Sequence, residues 1–332
     1  MAEKTIEIKD LVVEYRTRSG VVQALNGLSL SIEKGKTLGL VGETGAGKTT
    51  AGLAVLGLIP SPPGVIVSGE ILLNGKDLRA LTDKEMDQIR GDAVAMICQD
   101  PMTSLNPDMT VGDQIAEAIK IHEGLNHGDA LKKAEEMLEM VGIPRERAKE
   151  YPHQFSGGMK QRVVIAIALS CTPGLLIADE PTTALDVTIQ AQVLEMMKGL
   201  KEKYEMSMLM ITHDLGIVAE ICDEVSVVYA GRVVEHGTLA DVFDNTRHPY
   251  TEGLFNSLPN IENQADQLKP ISGLMPDPTD LPLGCPFYHR CDHAMHICRT
   301  KKPPKVYRNE THFVECHLYN EQNIGDKEEK WR

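Results

Sequence analysis

The segment Gly42-Glu43-Thr44-Gly45-Ala46-Gly47-Lys48-Thr49 is a complete G-x-x-x-x-G-K-[ST] phosphate-binding loop. It follows an apolar run at residues 37–41, which predicts a buried strand, and precedes residues 50–58, which predict a helix. In this order of elements, the backbone N–H groups of the loop and the helix N-terminus point at bound phosphates. We therefore expect the whole loop and Thr50 to bind a nucleoside triphosphate, with Lys48 on the β- and γ-phosphates and the Thr49 hydroxyl on Mg²⁺.

Two adjacent carboxylates form a second motif. Residues 175–178 read as an apolar strand that ends in Asp179 and Glu180. Such a strand delivers its acids to the carboxyl edge of a parallel sheet, where the phosphate loop also lies. We expect Asp179 to hold Mg²⁺, and Glu180 to orient or deprotonate the attacking water.

Between these motifs, residues 155–162 read Phe155-Ser156-Gly157-Gly158-Met159-Lys160-Gln161-Arg162. Here the sequence resembles the ATP-binding cassette (ABC) ATPases, whose signature motif has this form at the start of a helix. The resemblance covers roughly residues 5–260. It departs at Phe155 and Met159, where the family's common signature has Leu and Gln, but the Ser-Gly-Gly core is retained.

The resemblance assigns further residues of a nucleotide site. Gln99 matches the Q-loop glutamine, which implies contact with Mg²⁺ and a part in catalysis, and His213 matches the switch histidine. Tyr15 lies where the family places a ring that stacks on adenine. The residues Ala184-Leu185-Asp186 match the D-loop. In such an enzyme Ser156, Gly157, Gly158 and Asp186 contact nucleotide held by a second subunit, so that two ATP molecules are buried between two cassettes.

The implied fold is an α/β ABC cassette over residues 1–260. It has a RecA-like, mostly parallel sheet core, an N-terminal antiparallel β part and an inserted helical subdomain at about residues 100–165. The residue patterns agree with this scheme, since they predict strands at residues 6–8, 11–15, 28–32, 68–75, 207–211 and 224–229, and helices within residues 110–141, from 157 and within 189–203. Residues 261–332 predict a small, irregular, Cys-rich C-terminal domain of the peptide-importer type.

Charge and hydropathy restrict the class of protein further. The formal net charge is −14, with 48 acidic and 34 basic residues, which disfavours a nucleic-acid-binding surface. No apolar stretch approaches the roughly 20 residues that cross a bilayer, and the N-terminus lacks an apolar signal core. We therefore expect a protein on the cytoplasmic face of the membrane that associates with it through a membrane partner.

Three stretches resemble the dipeptide/oligopeptide (and nickel) branch of ABC importers: residues 99–107, residues 247–251 and residues 285–291. This resemblance implies an ATPase subunit that powers peptide import with two permeases, a second ATPase subunit, the same or different, and indirectly an extracytoplasmic substrate-binding protein. The alternatives are an importer of the same type for nickel or oligosaccharides, and a soluble ABC ATPase that acts on nucleic acid.

Four cysteines crowd the C-terminal region: Cys285, Cys291, Cys298 and Cys316. They lie on a proline-rich segment that is poorly suited to bury a core alone, and such segments are often held by a metal. Their separate spacings suit a [4Fe–4S] cluster better than the closely spaced pairs of structural zinc sites, and the resemblance points the same way. Zn²⁺ and plain reduced cysteines remain alternatives. The histidines that would serve as alternative zinc ligands are His289, His293, His296, His312 and His317.

Overall fold

A computed structural model of the chain describes residues 3–100, 104–183, 185–257 and 271–320. Within these residues the strands form two sheets, one of four strands in the order β2-β1-β4-β5 and one of eight in the order β11-β12-β10-β9-β3-β8-β7-β6. The strands are β1 Lys4–Thr17, β2 Gly20–Glu33, β3 Thr37–Val41, β4 Gly64–Leu73, β5 Lys76–Asp77, β6 Val94–Ile97, β7 Leu175–Asp179, β8 Ser207–Thr212, β9 Glu224–Tyr229, β10 Arg232–Thr238, β11 Lys305–Tyr307 and β12 Phe313–Glu315.

The helices cover the larger sheet and build a separate helical layer. They are α1 Lys48–Val55, α2 Asp83–Ile89, α3 Val111–Glu123, α4 His127–Met140, α5 Gly157–Leu169, α6 Val187–Tyr204, α7 Leu215–Ile221, α8 Leu239–Phe243, α9 Pro249–Asn256 and α10 His296–Thr300. In the described part of the chain, none of these helices combines the length and the apolar character that a membrane crossing requires.

The four-stranded sheet is antiparallel and lies at the N-terminal end of the fold. The sequence predicts two strands at residues 6–8 and 11–15, whereas the structure has the single strand β1. Asp10 lies between them with φ +45°, and the pairing register of β1 with β2 shifts between Ile8 and Leu11. A β-bulge of this kind interrupts the local pattern without ending the strand, and therefore one long strand reads as two.

The larger sheet carries the site. β9, β3, β8, β7 and β6 run parallel to one another, as the alternation of strands and helices predicts. Every residue of β3, β7 and β8 is buried. Because these strands are parallel, their carboxyl ends meet at one edge, and the residues that follow them converge there.

Helices α3 and α4 form the inserted helical layer between β6 and β7. Thr110 caps the N-terminus of α3 through a bond to the Asp113 N–H, and Gly124 ends it in the left-handed conformation with φ +67°. Asn126 then caps α4 in the same way as Thr110 caps α3. The caps explain why the helical pattern over residues 110–141 divides where the sequence places glycines.

The C-terminal region extends the cassette sheet. Strand β12 pairs antiparallel with β10, and β11 pairs with β12. The structure therefore does not confirm a separate Cys-rich domain, since residues 305–315 belong to the sheet that also contains the phosphate-loop strand. The predicted boundary at residue 260 lies outside the described residues and stays a prediction, as does the division into 1–260 and 261–332.

Polar contacts fix this C-terminal hairpin to the cassette. Glu235 on β10 is fully buried, and its carboxylate accepts the backbone N–H groups of Arg247 and His248 at 2.7 and 3.0 Å. Nε2 of His312 lies 3.0 Å from the same carboxylate. A second contact joins Arg232 on β10 to Glu315 on β12, with bonds of 2.9 and 3.1 Å.

Candidate ATP-binding site

The phosphate loop follows β3, and its last two residues, Lys48 and Thr49, are the first two residues of α1. Gly47 caps α1 with φ +101°, and a Cβ there would lie 2.5 Å from the Ala24 carbonyl oxygen. Gly42 has φ +154°, and a Cβ there would lie 2.3 Å from the Val228 carbonyl oxygen. Both positions therefore require glycine, and the loop holds its curvature through contacts with the two sheets.

Lys48 lies at the start of α1 and points back into the loop. Its side chain is buried, and Nζ donates to the carbonyl oxygens of Gly42 at 2.7 Å and Glu43 at 3.0 Å. Burial lowers the pKa of Lys48, and the carboxylates of Glu180, Asp179 and Glu43 oppose that shift. The carbonyl groups of Gly42 and Glu43 are uncharged and do not neutralise the Lys48 ammonium group. Lys48 therefore favours the binding of an anion in the loop.

Asp179 at the end of β7 is almost completely buried, with 2% of its surface exposed. Burial raises its pKa and the Glu180 carboxylate adds to the effect, while a hydrogen bond from Thr49 and the charge of Lys48 oppose it. Two crowded carboxylates beside a hydroxyl form an oxygen-rich group that suits Mg²⁺. The residues present therefore fit the Mg²⁺ that the sequence predicts at Thr49, Asp179 and Gln99.

Glu180 lies one residue beyond Asp179, with a left-handed backbone at φ +48°. Its carboxylate accepts from Gln99 Nε2 at 3.0 Å and from Thr183 Oγ1 at 2.9 Å, and it lies 2.9 Å from His213 Nδ1. Burial raises the pKa of Glu180, but these bonds outweigh burial and lower it overall. The structure thus joins the three predicted catalytic residues, and Thr183 is a partner that the sequence reading missed.

One pocket brings most of the predicted nucleotide residues together. Its predicted members are Tyr15, Thr44, Gly45, Gly47, Lys48, Thr49, Thr50, Gln99, Glu180 and His213. Gly42, Glu43 and Ala46 belong to the loop but do not line this pocket. Gln23 and Pro278 line it although the sequence reading did not single them out, and the Gln23 N–H donates to the Pro278 carbonyl oxygen at 2.9 Å.

The signature residues line a different pocket of about 530 Å³, together with Asp186. Ser156 caps α5 by accepting the Met159 N–H, and Asp186 caps α6 by accepting the Ile189 N–H. A Cβ at Gly157 would meet nothing within 4 Å, so packing within the chain does not explain this glycine. The chain therefore places its signature motif away from its own phosphate loop. Ala184 of the predicted D-loop lies outside the described residues.

The four C-terminal cysteines line one narrow cavity with His248, His293 and His317. Burial raises the pKa of Cys285 to about 12, that of Cys291 to about 11 and that of Cys316 to about 12, and neighbouring thiols add to each shift. Nevertheless, among the described residues no three His, Cys, Asp or Glu side chains are placed to hold one metal ion. Of the predicted alternative zinc ligands, His312 is bound to Glu235 instead.

A contact that the sequence does not predict joins the phosphate loop to the C-terminal region. The Glu43 carboxylate pairs with Arg290 through two bonds, and the Glu43 N–H donates to the Tyr250 hydroxyl at 2.9 Å. Tyr250 was visible in the predicted family stretch at residues 247–251. Arg290 likewise lies in the family stretch at residues 285–291, but nothing in that stretch indicates its partner Glu43, because most of the chain separates the two residues.

A phosphate loop on a parallel sheet, acids at the end of β7 and an inserted helical layer define an ATP-binding cassette. The family model described as "ABC transporter" matches residues 25–183, and "Oligopeptide/dipeptide transporter, C-terminal region" matches residues 234–298. The dimeric cassette MJ0796, solved in a post-hydrolysis state with ADP and Pi, matches with a TM-score of 0.64 and 26% identity over 70% of this chain and 98% of that one.

Curated relatives narrow the class. The chain is 50% identical to the oligopeptide transport ATP-binding protein OppD of Bacillus subtilis, over 95% of this chain and 89% of the relative. It is 48% identical to the dipeptide transport ATP-binding protein DppD of the same organism, over 96% of both chains. The chain therefore belongs to the ABC transporter family, in the branch of oligopeptide and dipeptide transport ATP-binding proteins.

Proposed function

We propose that this chain hydrolyses ATP to drive the import of peptides through a separate membrane permease. The observation that carries the proposal is the convergence of the phosphate loop, Gln99, Glu180 and His213 on one pocket, in a chain half identical to an oligopeptide transport ATP-binding protein. No finding favours the alternatives of nucleic-acid, nickel or oligosaccharide substrates.

The geometry supports a division of roles within the ATP pocket. The loop N–H groups and Lys48 bind the phosphates, and Tyr15, which lines the same pocket, stacks on the base. Thr49, Asp179 and Gln99 would hold Mg²⁺, which neutralises charge on the phosphates when it is bound. Glu180 accepts the proton of the attacking water, while His213 and Gln99 hold its carboxylate in place.

Hydrolysis requires a second ATPase subunit in this proposal. The phosphate-loop pocket and the signature pocket share no lining residue. The N-terminus of α5, led by Ser156, Gly157 and Gly158, can donate N–H groups to the γ-phosphate bound by a partner cassette. Hydrolysis removes the γ-phosphate, which is the group that both subunits contact, and therefore the two subunits can separate.

The proposed partners follow from this role. Two integral-membrane permease subunits receive the motion, and the chain lies at the cytoplasmic face through them. A second ATPase subunit, identical or related, completes the sandwich, and an extracytoplasmic substrate-binding protein delivers the peptide on the other side.

The test is uptake in the native host. Deleting the gene should abolish uptake of labelled di- and oligopeptides, and the wild-type gene should restore it, while the Glu180→Gln variant should not. Uptake of labelled nickel and of oligosaccharides should stay unchanged. Normal peptide uptake in the deletion strain, with no second peptide importer present, would contradict the proposal.

We also propose that Cys285, Cys291, Cys298 and Cys316 bind a [4Fe–4S] cluster. Their shared cavity and soft sulfur donors support it, and their spacings suit a cluster better than the closely spaced cysteine pairs of a structural zinc site do. Anaerobically purified protein should be brown and should contain about four irons per chain. The Cys291→Ser variant should lose iron, whereas Cys171→Ser, at a buried cysteine outside the cavity, should not. A colourless protein with one zinc would overturn this assignment.

A further inference from the structure

Arg290 joins the Cys-rich region to the phosphate loop through a bidentate salt bridge. Its Nη1 donates to Glu43 Oε2 at 2.6 Å, and its Nη2 donates to Glu43 Oε1 at 2.9 Å. The Arg290 side chain is only 5% exposed, so solvent weakens this pair little. Paired guanidinium and carboxylate groups in this geometry are among the stronger contacts in proteins.

Both partners of the salt bridge are held by further bonds. Nε of Arg290 donates to the Ser272 carbonyl oxygen at 3.0 Å. Glu43 is fixed at three groups, since its N–H donates to the Tyr250 hydroxyl, its carbonyl oxygen accepts from Lys48 Nζ and its carboxylate pairs with Arg290. In the proposed function Lys48 is the phosphate-binding cation, and Glu43 contacts it directly through its carbonyl oxygen.

The charge of Glu43 is unfavourable where it lies. The loop must receive a polyanion beside two further carboxylates, Asp179 and Glu180, and all three act on Lys48. Like charges repel strongly in a partly buried site unless a cation compensates them. Arg290 supplies the compensating positive charge, and it does so from outside the ATP pocket, since it is not one of the lining residues.

We propose that Arg290 is a positioning residue for ATP binding: through Glu43 it neutralises and holds the phosphate loop, and so the Cys-rich region sets the affinity for ATP. This inference rests on the proposed ATPase function. Arg290 belongs to the short helical turn Tyr288–Arg290, which lies between Cys285 and Cys291. The order of that turn therefore controls the position of the guanidinium.

The test is a set of variants of the full chain, titrated with Mg²⁺–ATP by calorimetry. Arg290→Ala should weaken ATP binding by about tenfold, the effect of one uncompensated charge near a partly exposed anion site. Arg290→Lys should retain part of the affinity because it keeps the charge but loses the bidentate geometry. In steady-state hydrolysis, KM should rise while kcat stays near wild type, since Arg290 touches no reacting group.

The decisive variant combines Glu43→Gln with Arg290→Ala. Since the deleterious charge belongs to Glu43, Glu43→Gln should relieve most of the loss caused by Arg290→Ala. In the Glu43→Gln background, Arg290→Ala should cause little further change in the affinity for ATP. A double variant that binds ATP as weakly as Arg290→Ala would overturn the proposal, because Arg290 would then act independently of Glu43.

Arg232 and Glu315 provide a matched control, since they also tie the C-terminal region to the cassette through a two-bond ion pair. Neither residue lines the ATP pocket. Glu315→Gln should lower the melting temperature without changing ATP affinity. Equal changes of ATP affinity in Glu315→Gln and Arg290→Ala would reduce Arg290 to a structural tether and reject the proposal.

Two further measurements keep the outcome clear. If Arg290→Ala does not fold, Arg290→Gln and its combination with Glu43→Gln carry the same comparison, because glutamine also removes the positive charge. Lys48→Ala separates this inference from the ATP-site proposal, because normal ATP affinity in that variant would reject the site itself. If Lys48→Ala binds ATP weakly and Arg290→Ala binds it with wild-type affinity, the ATP-site proposal stands and only the proposed role of Arg290 is rejected.

Discussion

The phosphate-loop pocket and the signature pocket differ in how much of a reaction each can perform. The first contains the cation of Lys48, the hydroxyl of Thr49 and the carboxylate of Glu180 with its three side-chain partners. The second contains helix N-termini led by Ser156 and Asp186, and a glycine that no packing requires. In the proposed function, the first pocket binds and orients ATP, whereas the second acts on a phosphate that another subunit presents.

The two pockets share no lining residue, and the proposed function assigns them to the two complementary halves of an ATP site that forms between two subunits. Substitutions in the first pocket should therefore act on the isolated chain as well as on the assembly. Substitutions in the second should leave nucleotide binding by the isolated chain unchanged and appear only where two cassettes meet.

The largest expected effect belongs to Glu180→Gln. The amide keeps the size of the side chain but cannot accept the proton of water, so kcat should fall by about a thousandfold, within the range for a general base. ATP binding should persist, and gel filtration with ATP should show a stable dimer. Glu220→Gln, on an exposed face of α7, is the control and should behave as wild type. Hydrolysis near the wild-type rate would show that another group activates the water.

Lys48→Ala should have the next largest effect, and it should act before hydrolysis. Losing the buried cation removes about 3 kcal/mol of charge-assisted bonding to the phosphates, which corresponds to roughly a hundredfold weaker binding. Calorimetric titration of the isolated chain measures it directly. Lys34→Ala removes an exposed lysine near β3 and should leave the affinity unchanged.

Gly157→Ala should sharpen the contrast between the two pockets. An added methyl meets no atom of the chain, so the stability should stay the same or rise by up to about 0.5 kcal/mol from helix propensity. ATP binding by the isolated chain should not change. Hydrolysis by the assembled pair should fall by about tenfold, because the methyl crowds the phosphate of the partner site.

Gly199→Ala is the matched control for this variant. Gly199 lies in α6, and a Cβ there also meets nothing within 4 Å. It should give the same or a larger gain in stability with unchanged hydrolysis. If Gly157→Ala hydrolyses ATP as fast as Gly199→Ala, the signature helix does not approach a phosphate closely.

Much of the catalytic pocket could be predicted from the sequence because its signals are local. The phosphate loop and the acids after β7 each follow an apolar strand, and parallel strands bring their carboxyl ends together. The meeting of Gln99, Glu180 and His213 follows from that topology and from the family resemblance. Their exact bonds, and the part played by Thr183, depend on loop conformations that no periodicity encodes.

The contacts of the C-terminal region could not be predicted in the same way. β11 and β12 have only three residues each, too few for a visible alternation, and β12 pairs with β10, a strand far earlier in the chain. The pairs Glu43–Arg290 and Glu235–His312 likewise join residues that are distant in sequence. Charge complementarity over such distances leaves no local pattern, so only the folded chain reveals it.

The pairing of β12 with β10 also has a consequence for how the protein is made. Without β12, β10 would be an edge strand with a row of unsatisfied N–H and C=O groups, and such edges template pairing with other chains. In the sheet that carries the phosphate loop, β10 therefore gains β12 as its partner only after residue 315 has left the ribosome. A chain that stops near residue 260 would lack β12 and would expose the edge of β10 to other copies of the chain. Premature termination should therefore yield aggregated protein and not a shorter, active ATPase.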